Sequence, residues 1–184
     1  IGGVPTDVNY YVDWGDGKLV SFYTGYFGEI KPSTDGYTAN STVKIYGNII
    51  DKLDVTSKGL TSLDLSNISL LISLYCGNNK LTTLDISNNP SIRTLYCENN
   101  QLSILDLSKQ LNINAVNCPN NNISTILSTE SIAGGCNITG NRLSIATIPY
   151  KWHGAVCAPQ QAFAVSCTQG AVDLSAQYPQ GAYS

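Results

Sequence analysis

The sequence predicts a β-rich repeat solenoid of about five coils between two β-rich end segments. The octapeptide LYCGNNKL at Leu74–Leu81 returns as LYCENNQL at Leu95–Leu102 and, more loosely, as VNCPNNNI at Val116–Ile123, each 21 residues after the last. Around the cysteine of each copy, apolar and polar residues alternate with the period of a strand. A strand this short buries its inner face only by stacking on copies above and below it.

The pattern L-x-x-L-x-L-x-x-N-x-L fits Leu71, Leu74, Cys76, Asn79 and Leu81, and again Ile92, Leu95, Cys97, Asn100 and Leu102. It fits a third time at Ile113, Val116, Cys118, Asn121 and Ile123. A degraded copy runs through Ala133, Cys136, Ile138, Asn141 and Leu143, and an opening one through Ile50, Leu53, Val55 and Leu60, with Lys58 at the Asn position. Half-units of similar design lie between them: LTSLDLSNI from Leu60, LTTLDISNN from Leu81, LSILDLSKQ from Leu102 and ISTILSTES from Ile123. The apolar anchors Leu63, Leu74, Leu84, Leu95, Leu105, Val116 and Ile126 advance by alternating steps of 11 and 10, so each coil is expected to have two extended edges.

This pattern resembles the leucine-rich repeat, specifically the bacterial 21-residue class in which both halves of a coil carry the motif, and the likeness spans residues 50–148. The resemblance implies a right-handed superhelix with one continuous parallel sheet on its concave side and short extended segments on the other. It also implies that Asn79, Asn100, Asn121 and Asn141 are buried, their amides satisfying backbone groups at the turn. A tight buried turn would otherwise hold peptide groups away from water.

Residues 1–49 read as a β-rich N-terminal cap, because aromatic and β-branched runs there are separated by Asp-Gly and Gly-Asp steps suited to hairpins. The DWGDG element at Asp13–Gly17 resembles the turn signature of polycystic-kidney-disease-type β-domains. Asp13 and Asp16 lack the spacing of a calcium loop and read as turn residues. An uncovered first coil would expose apolar side chains and an unpaired strand edge, which a cap prevents. Residues 149–184 read as a C-terminal cap or connector. The absence of methionine and the open-ended terminus DLSAQYPQGAYS lead us to expect a processed piece of a longer protein whose leader has been removed.

Charged residues are 12% of the chain and the net charge is −3, without the clustered basic face that nucleic acid requires. No apolar run has the ~18 residues of a membrane helix, so no insertion of this segment is expected. The single histidine, His153, stands near no serine motif and G-x-S-x-G does not occur, so we expect no enzyme and no cofactor. Asp64, Asp85 and Asp106 form an outward row, each followed two residues later by Ser66, Ser87 or Ser108, a pairing suited to turns.

The cysteines are the obvious reactive candidates. Cys76, Cys97 and Cys118 fall at the inward sixth position of three successive copies. Their strand spacing of roughly 4.8 Å lies inside the range of disulfide Cα distances, yet in-register parallel side chains do not readily give the required torsion, and three in a row cannot all pair. A tetrahedral metal site needs convergent ligands. The expected role is core packing, in which buried Cys acts as a small hydrophobe, and Cys136 receives the same reading. Cys157 and Cys167, ten residues apart across a hairpin-like segment, are candidates for a disulfide in an exported protein.

The outward row between inward leucines is Asp54, Tyr75, Tyr96, Asn117 and Asn137, with Arg93 beside the tyrosines. Tyr and Arg are enriched where proteins bind partners, whereas aromatics on strands also serve simply to stabilise a sheet. Together with the resemblance, this row leads us to expect a non-enzymatic adhesion or interaction module of a bacterial cell-surface or secreted protein. Its expected ligand is a host or bacterial protein; the alternative is a carbohydrate-binding, accessory or spacer module.

Overall fold

The computed structural model describes residues 8–13, 19–24, 29–30, 42–46, 50–128, 132 and 135–143. Cys157, Cys167, His153, Asp16, Ala133 and the proposed connector at 149–184 lie outside these residues.

The described chain forms a parallel-stranded β-solenoid. Its main sheet has the order β12-β10-β8-β7-β5-β3, built from β3 (Glu29–Ile30), β5 (Lys52–Asp54), β7 (Ser73–Tyr75), β8 (Thr94–Tyr96), β10 (Ala115–Asn117) and β12 (Cys136–Asn137). The steps from β5 to β7, β8, β10 and β12 make four complete turns. Register follows the repeat residue for residue: Leu53 faces Leu74, Leu74 faces Leu95, Leu95 faces Val116, and Val116 faces Cys136. No helix is assigned among the described residues.

Alternation decides which side chains enter the core. In β7 the middle residue Leu74 is buried while Ser73 and Tyr75 are half-buried, and the pattern recurs in β5 and β10. The inward positions form one continuous cluster, from Ile50, Leu53 and Val55 through Leu95 and Cys97 to Ile138 and Leu143. Each such leucine packs mostly against the same position one coil away, so removing one opens a cavity on both sides; such truncations cost about 2–5 kcal/mol.

After each strand the chain turns sharply through a left-handed residue. Ser57, Asn78, Asn99 and Asn120 have φ between 53° and 58°, and Gly140 has φ 66°. Asparagine tolerates this region better than most L residues. The adjoining inward asparagines then bond the turn from inside. Asn100 Oδ1 accepts the Leu81 N–H at 3.0 Å, while its Nδ2 donates to the carbonyls of Cys76, Cys97 and Glu98. Asn79 accepts from Lys58 and Leu60 and donates to Val55, Cys76 and Gly77. Asn121 and Asn141 repeat the arrangement one and two coils on. All four are buried.

The other side of the coil is less sheet-like. Each coil closes there on itself through turns such as Ile68 N–H to Leu65 O and Leu71 N–H to Ile68 O, repeated at Asn89, Ile92, Gln110 and Ile113. Strands on this side are β6 (Ser62–Asp64), β9 (Ile104–Asp106) and β11 (Thr125–Leu127). Residues 83–85 carry no strand, although Thr-Thr-Leu has strand propensity. Where this side does pair, Lys44 faces Asp64 and Asp106 faces Leu127. Where it does not, Asp64, Asp85 and Asp106 would face one another, and like charges directly opposite destabilise a sheet.

The N-terminal residues join both sides. β1 (Val8–Asp13) pairs antiparallel with β2 (Leu19–Thr24) and with β4 (Thr42–Tyr46), and β4 lies parallel to β6. Pairing with the coil at residues 50–64 therefore begins at β3 and β4, and Val12, Val43 and Ile45 complete its core.

Replacing Asn100 by Ala leaves the Leu81 N–H and the Cys76 carbonyl without their side-chain partner inside the core, and is expected to cost about 2–3 kcal/mol. Asn99→Gly keeps the left-handed turn and removes only exposed bonds, so it is expected to cost less than about 1 kcal/mol. Urea denaturation of both variants measures the difference.

Candidate functional site

Parallel register places the outward row on one face of the main sheet. Asp54, Tyr75, Tyr96, Asn117 and Asn137 are successive partners across β5, β7, β8, β10 and β12. Arg93 lies three residues before Tyr96, beyond the row of Lys52, Ser73, Thr94 and Ala115; its N–H donates to Ile72 O and its carbonyl accepts from Asn114.

The two tyrosines are not equivalent. Their ring centroids are 5.1 Å apart at an interplanar angle of 74°, an edge-to-face pair. Lys52 Nζ stands over the Tyr75 ring at 5.4 Å from its centroid, a cation–π contact that occupies that face. Tyr75 is half-buried, whereas Tyr96 is 37% exposed; Ile72 and Arg93, immediately before β7 and β8, are also exposed. The accessible centre of the face is therefore Tyr96, and Tyr75 with Lys52 braces it.

The flanking members of the row are engaged in their own turns. Asp54 Oδ1 accepts the Thr56 N–H at 3.1 Å. Asn137 Oδ1 accepts from the N–H and hydroxyl of Thr139. Asn117 Nδ2 donates to Glu98 Oε2 at 3.4 Å, placing a carboxylate at one edge of the tyrosine face. Glu98 is absent from the sequence-based candidates; it gains its position from Gly77, where a Cβ would meet the Glu98 carboxyl group.

The cysteine reading requires a correction. Cys76, Cys97 and Cys118 are all buried, as expected, but Cys97 and Cys118 form a disulfide, in which Cys76 and Cys136 take no part. The Cα–Cα distance of 4.8 Å is the spacing of adjacent strands and lies within the disulfide range of about 4.4–6.8 Å. In-register stacking thus brings the pair within bonding reach, which the expectation of simple core fillers underrated. Burial, and secondarily the Glu98 carboxylate, pushes the Cys76 thiol far up, so it stays protonated.

Two further side-chain ladders escaped the sequence reading, although the 21-residue spacing marks both. Each Asn-Asn doublet supplies one inward and one outward amide. The outward ones bond along the stack, Asn99 Nδ2 to Asn78 Oδ1 at 2.8 Å and Asn120 Nδ2 to Asn99 Oδ1 at 2.9 Å. On the opposite side, buried Asn89 donates to Leu65 O and Ile68 O, and buried Gln110 to Ile86 O and Asn89 O. The side-chain oxygens of Asn89 and Gln110 are buried without a hydrogen-bond partner among the described residues.

The aspartate row serves its turns. Asp64, Asp85 and Asp106 each accept the N–H of the serine two residues on, and Asp64 also accepts the Ser66 hydroxyl at 2.7 Å. A shallow cleft of about 70 Å³ beside Asp85, Ser87, Asp106, Lys109 and Gln110 is small against the roughly 300–1,000 Å³ of ligand pockets. Among the described residues no three His, Cys, Asp or Glu side chains are grouped as metal ligands, and no helix is long and apolar enough to cross a membrane.

Hydrogen bonds from Ser66 and Ser87, side chain first and backbone second, hold Asp64 and Asp85 below the ordinary 3.8, and the Ser108 N–H leads the same effect on Asp106. Carboxyls depressed on folding contribute stability above their unfolded pKa and lose it as pH falls through the folded values. Urea midpoints are thus expected to hold down to about pH 4 and to drop below it. Replacing Ser66 and Ser87 together by Ala removes the leading hydroxyl bonds but keeps the N–H bonds, and should make that acid limb shallower without abolishing it.

No protein-family model matches the chain, and neither curated proteins nor solved structures give a match.

Proposed function

We propose that this chain is a non-enzymatic interaction module that binds a protein partner through the Tyr96 face of its main sheet. The observation that carries the reading is exposed Tyr96 braced edge-on by Tyr75 under Lys52, with exposed Ile72 and Arg93 immediately before the same two strands. An exposed aromatic held in one orientation loses little entropy on binding, and Arg beside it adds directional donors; such groups dominate binding energy in protein interfaces. The finer assignment belongs to the same proposal: a leucine-rich repeat of the bacterial 21-residue class, in a cell-surface or secreted protein, with adhesion to a host or bacterial surface protein as its task.

A glycan is the second reading, favoured by the exposed Tyr96 ring and the amides of Asn117 and Asn114 near it. Stacking a sugar on Tyr75 is disfavoured because Lys52 occupies its face. The two readings separate in a paired measurement: capture of surface proteins from host and bacterial extracts, and a glycan array. The protein reading expects a saturable protein ligand whose affinity falls about tenfold or more in Tyr96→Ala and Arg93→Ala, with folding unchanged by circular dichroism. Saturable glycan binding lost in Tyr96→Ala, without a protein ligand, would replace it.

A further inference from the structure

Three cysteines of the described chain share one buried row. Cys76, Cys97 and Cys118 follow β7, β8 and β10 at identical positions, and each has 0% exposure. Backbone bonds keep them in register: Cys76 N–H to Tyr96 O at 2.8 Å, Cys97 N–H to Asn117 O at 2.9 Å and Cys118 N–H to Asn137 O at 2.9 Å. Cys97 is bonded to Cys118 on one side, and the free thiol of Cys76 lies one strand away on the other. Cys136 is not part of this row, because in register it faces Val116.

Exchange at a disulfide requires the attacking, central and leaving sulfurs to lie in a line. Register along the solenoid axis puts Cys97 between Cys76 and Cys118, the order that such a line requires. We propose that this row is a disulfide relay, in which intramolecular exchange moves one bond between Cys97–Cys118 and Cys76–Cys97. In the forward step the Cys76 thiolate forms a bond to Cys97 Sγ while the Cys97–Cys118 bond breaks. The electron pair of that bond leaves on Cys118 Sγ, which takes up a proton in place of the one Cys76 released. One disulfide and one thiol are present before and after, so no oxidant or reductant is consumed. Exchange is slow in the closed fold because the Cys76 thiol is buried and protonated.

The relay acts on the tyrosine face through sequence adjacency, since Cys97 follows Tyr96. One bond clips the strand of Tyr96 to that of Asn117; the other clips it to that of Tyr75, its ring partner.

Disulfide mapping tests this on the full chain. The native protein is incubated for days in mildly alkaline, thiol-free buffer under argon, acid-trapped, alkylated, digested and analysed by mass spectrometry. The expected result is a Cys76–Cys97 peptide that grows at the expense of Cys97–Cys118, with free Cys118 rising equally and total disulfide constant. Cys118→Ser refolded in a glutathione redox buffer, which supplies the oxidant, is expected to form Cys76–Cys97, and Cys76→Ser to form Cys97–Cys118. The relay is overturned if the native protein yields only Cys97–Cys118 at every time. It is equally overturned if folded Cys118→Ser leaves Cys76 and Cys97 both reduced. Should Cys118→Ser not fold, the time course on the native protein decides alone.

Discussion

The tight turn that follows each main-sheet strand directs peptide groups inward, and a carboxamide is the side chain that can both accept and donate there. Asn79, Asn100, Asn121 and Asn141 each do so, reaching N–H groups and carbonyls of their own coil and the one before it. Without them the turn would leave several unpaired groups per coil, each costing about 1–3 kcal/mol, more than one coil could absorb. The register of the sheet, the left-handed outer asparagine and the stacking of the leucines all presuppose that interior bond. On the opposite side Asn89 and Gln110 donate but their oxygens accept nothing among the described residues, and there the sheet is interrupted.

Much of this could be read from the chain before its coordinates. The 21-residue period is a statement about stacking, so inward residues such as Leu74, Leu95 and Val116 and the inner asparagines could be placed by counting. What counting cannot resolve is a choice between neighbours at equal spacing. Cys97 has a cysteine on each side, and the pattern alone does not say that it bonds Cys118. Nor does periodicity reveal that residues 83–85 carry no strand while the equivalent β6 and β9 do.

The tyrosine row shows the same limit in another form. Identical residues at identical positions, Tyr75 and Tyr96, differ because their neighbours do: Lys52 lies on one side of the pair and Asn117 with Glu98 on the other. A repeat therefore sets where a side chain sits, while the substitutions between copies set what it can do. The candidate face owes its character to the departures from the repeat.

The outer asparagine row has a polarity that its sequence conceals. Every amide in it is oriented the same way, nitrogen toward the coil before, so the dipoles of Asn78, Asn99 and Asn120 add along the axis as peptide dipoles add in a helix. Such a chain can grow only in one sense, and it needs an ending. At the next turn Gly140 stands where an asparagine would be expected, and a Cβ there would strike the Asn120 side chain. Glycine is in effect the full stop of this row, and any coil grafted beyond it would have to begin a new one.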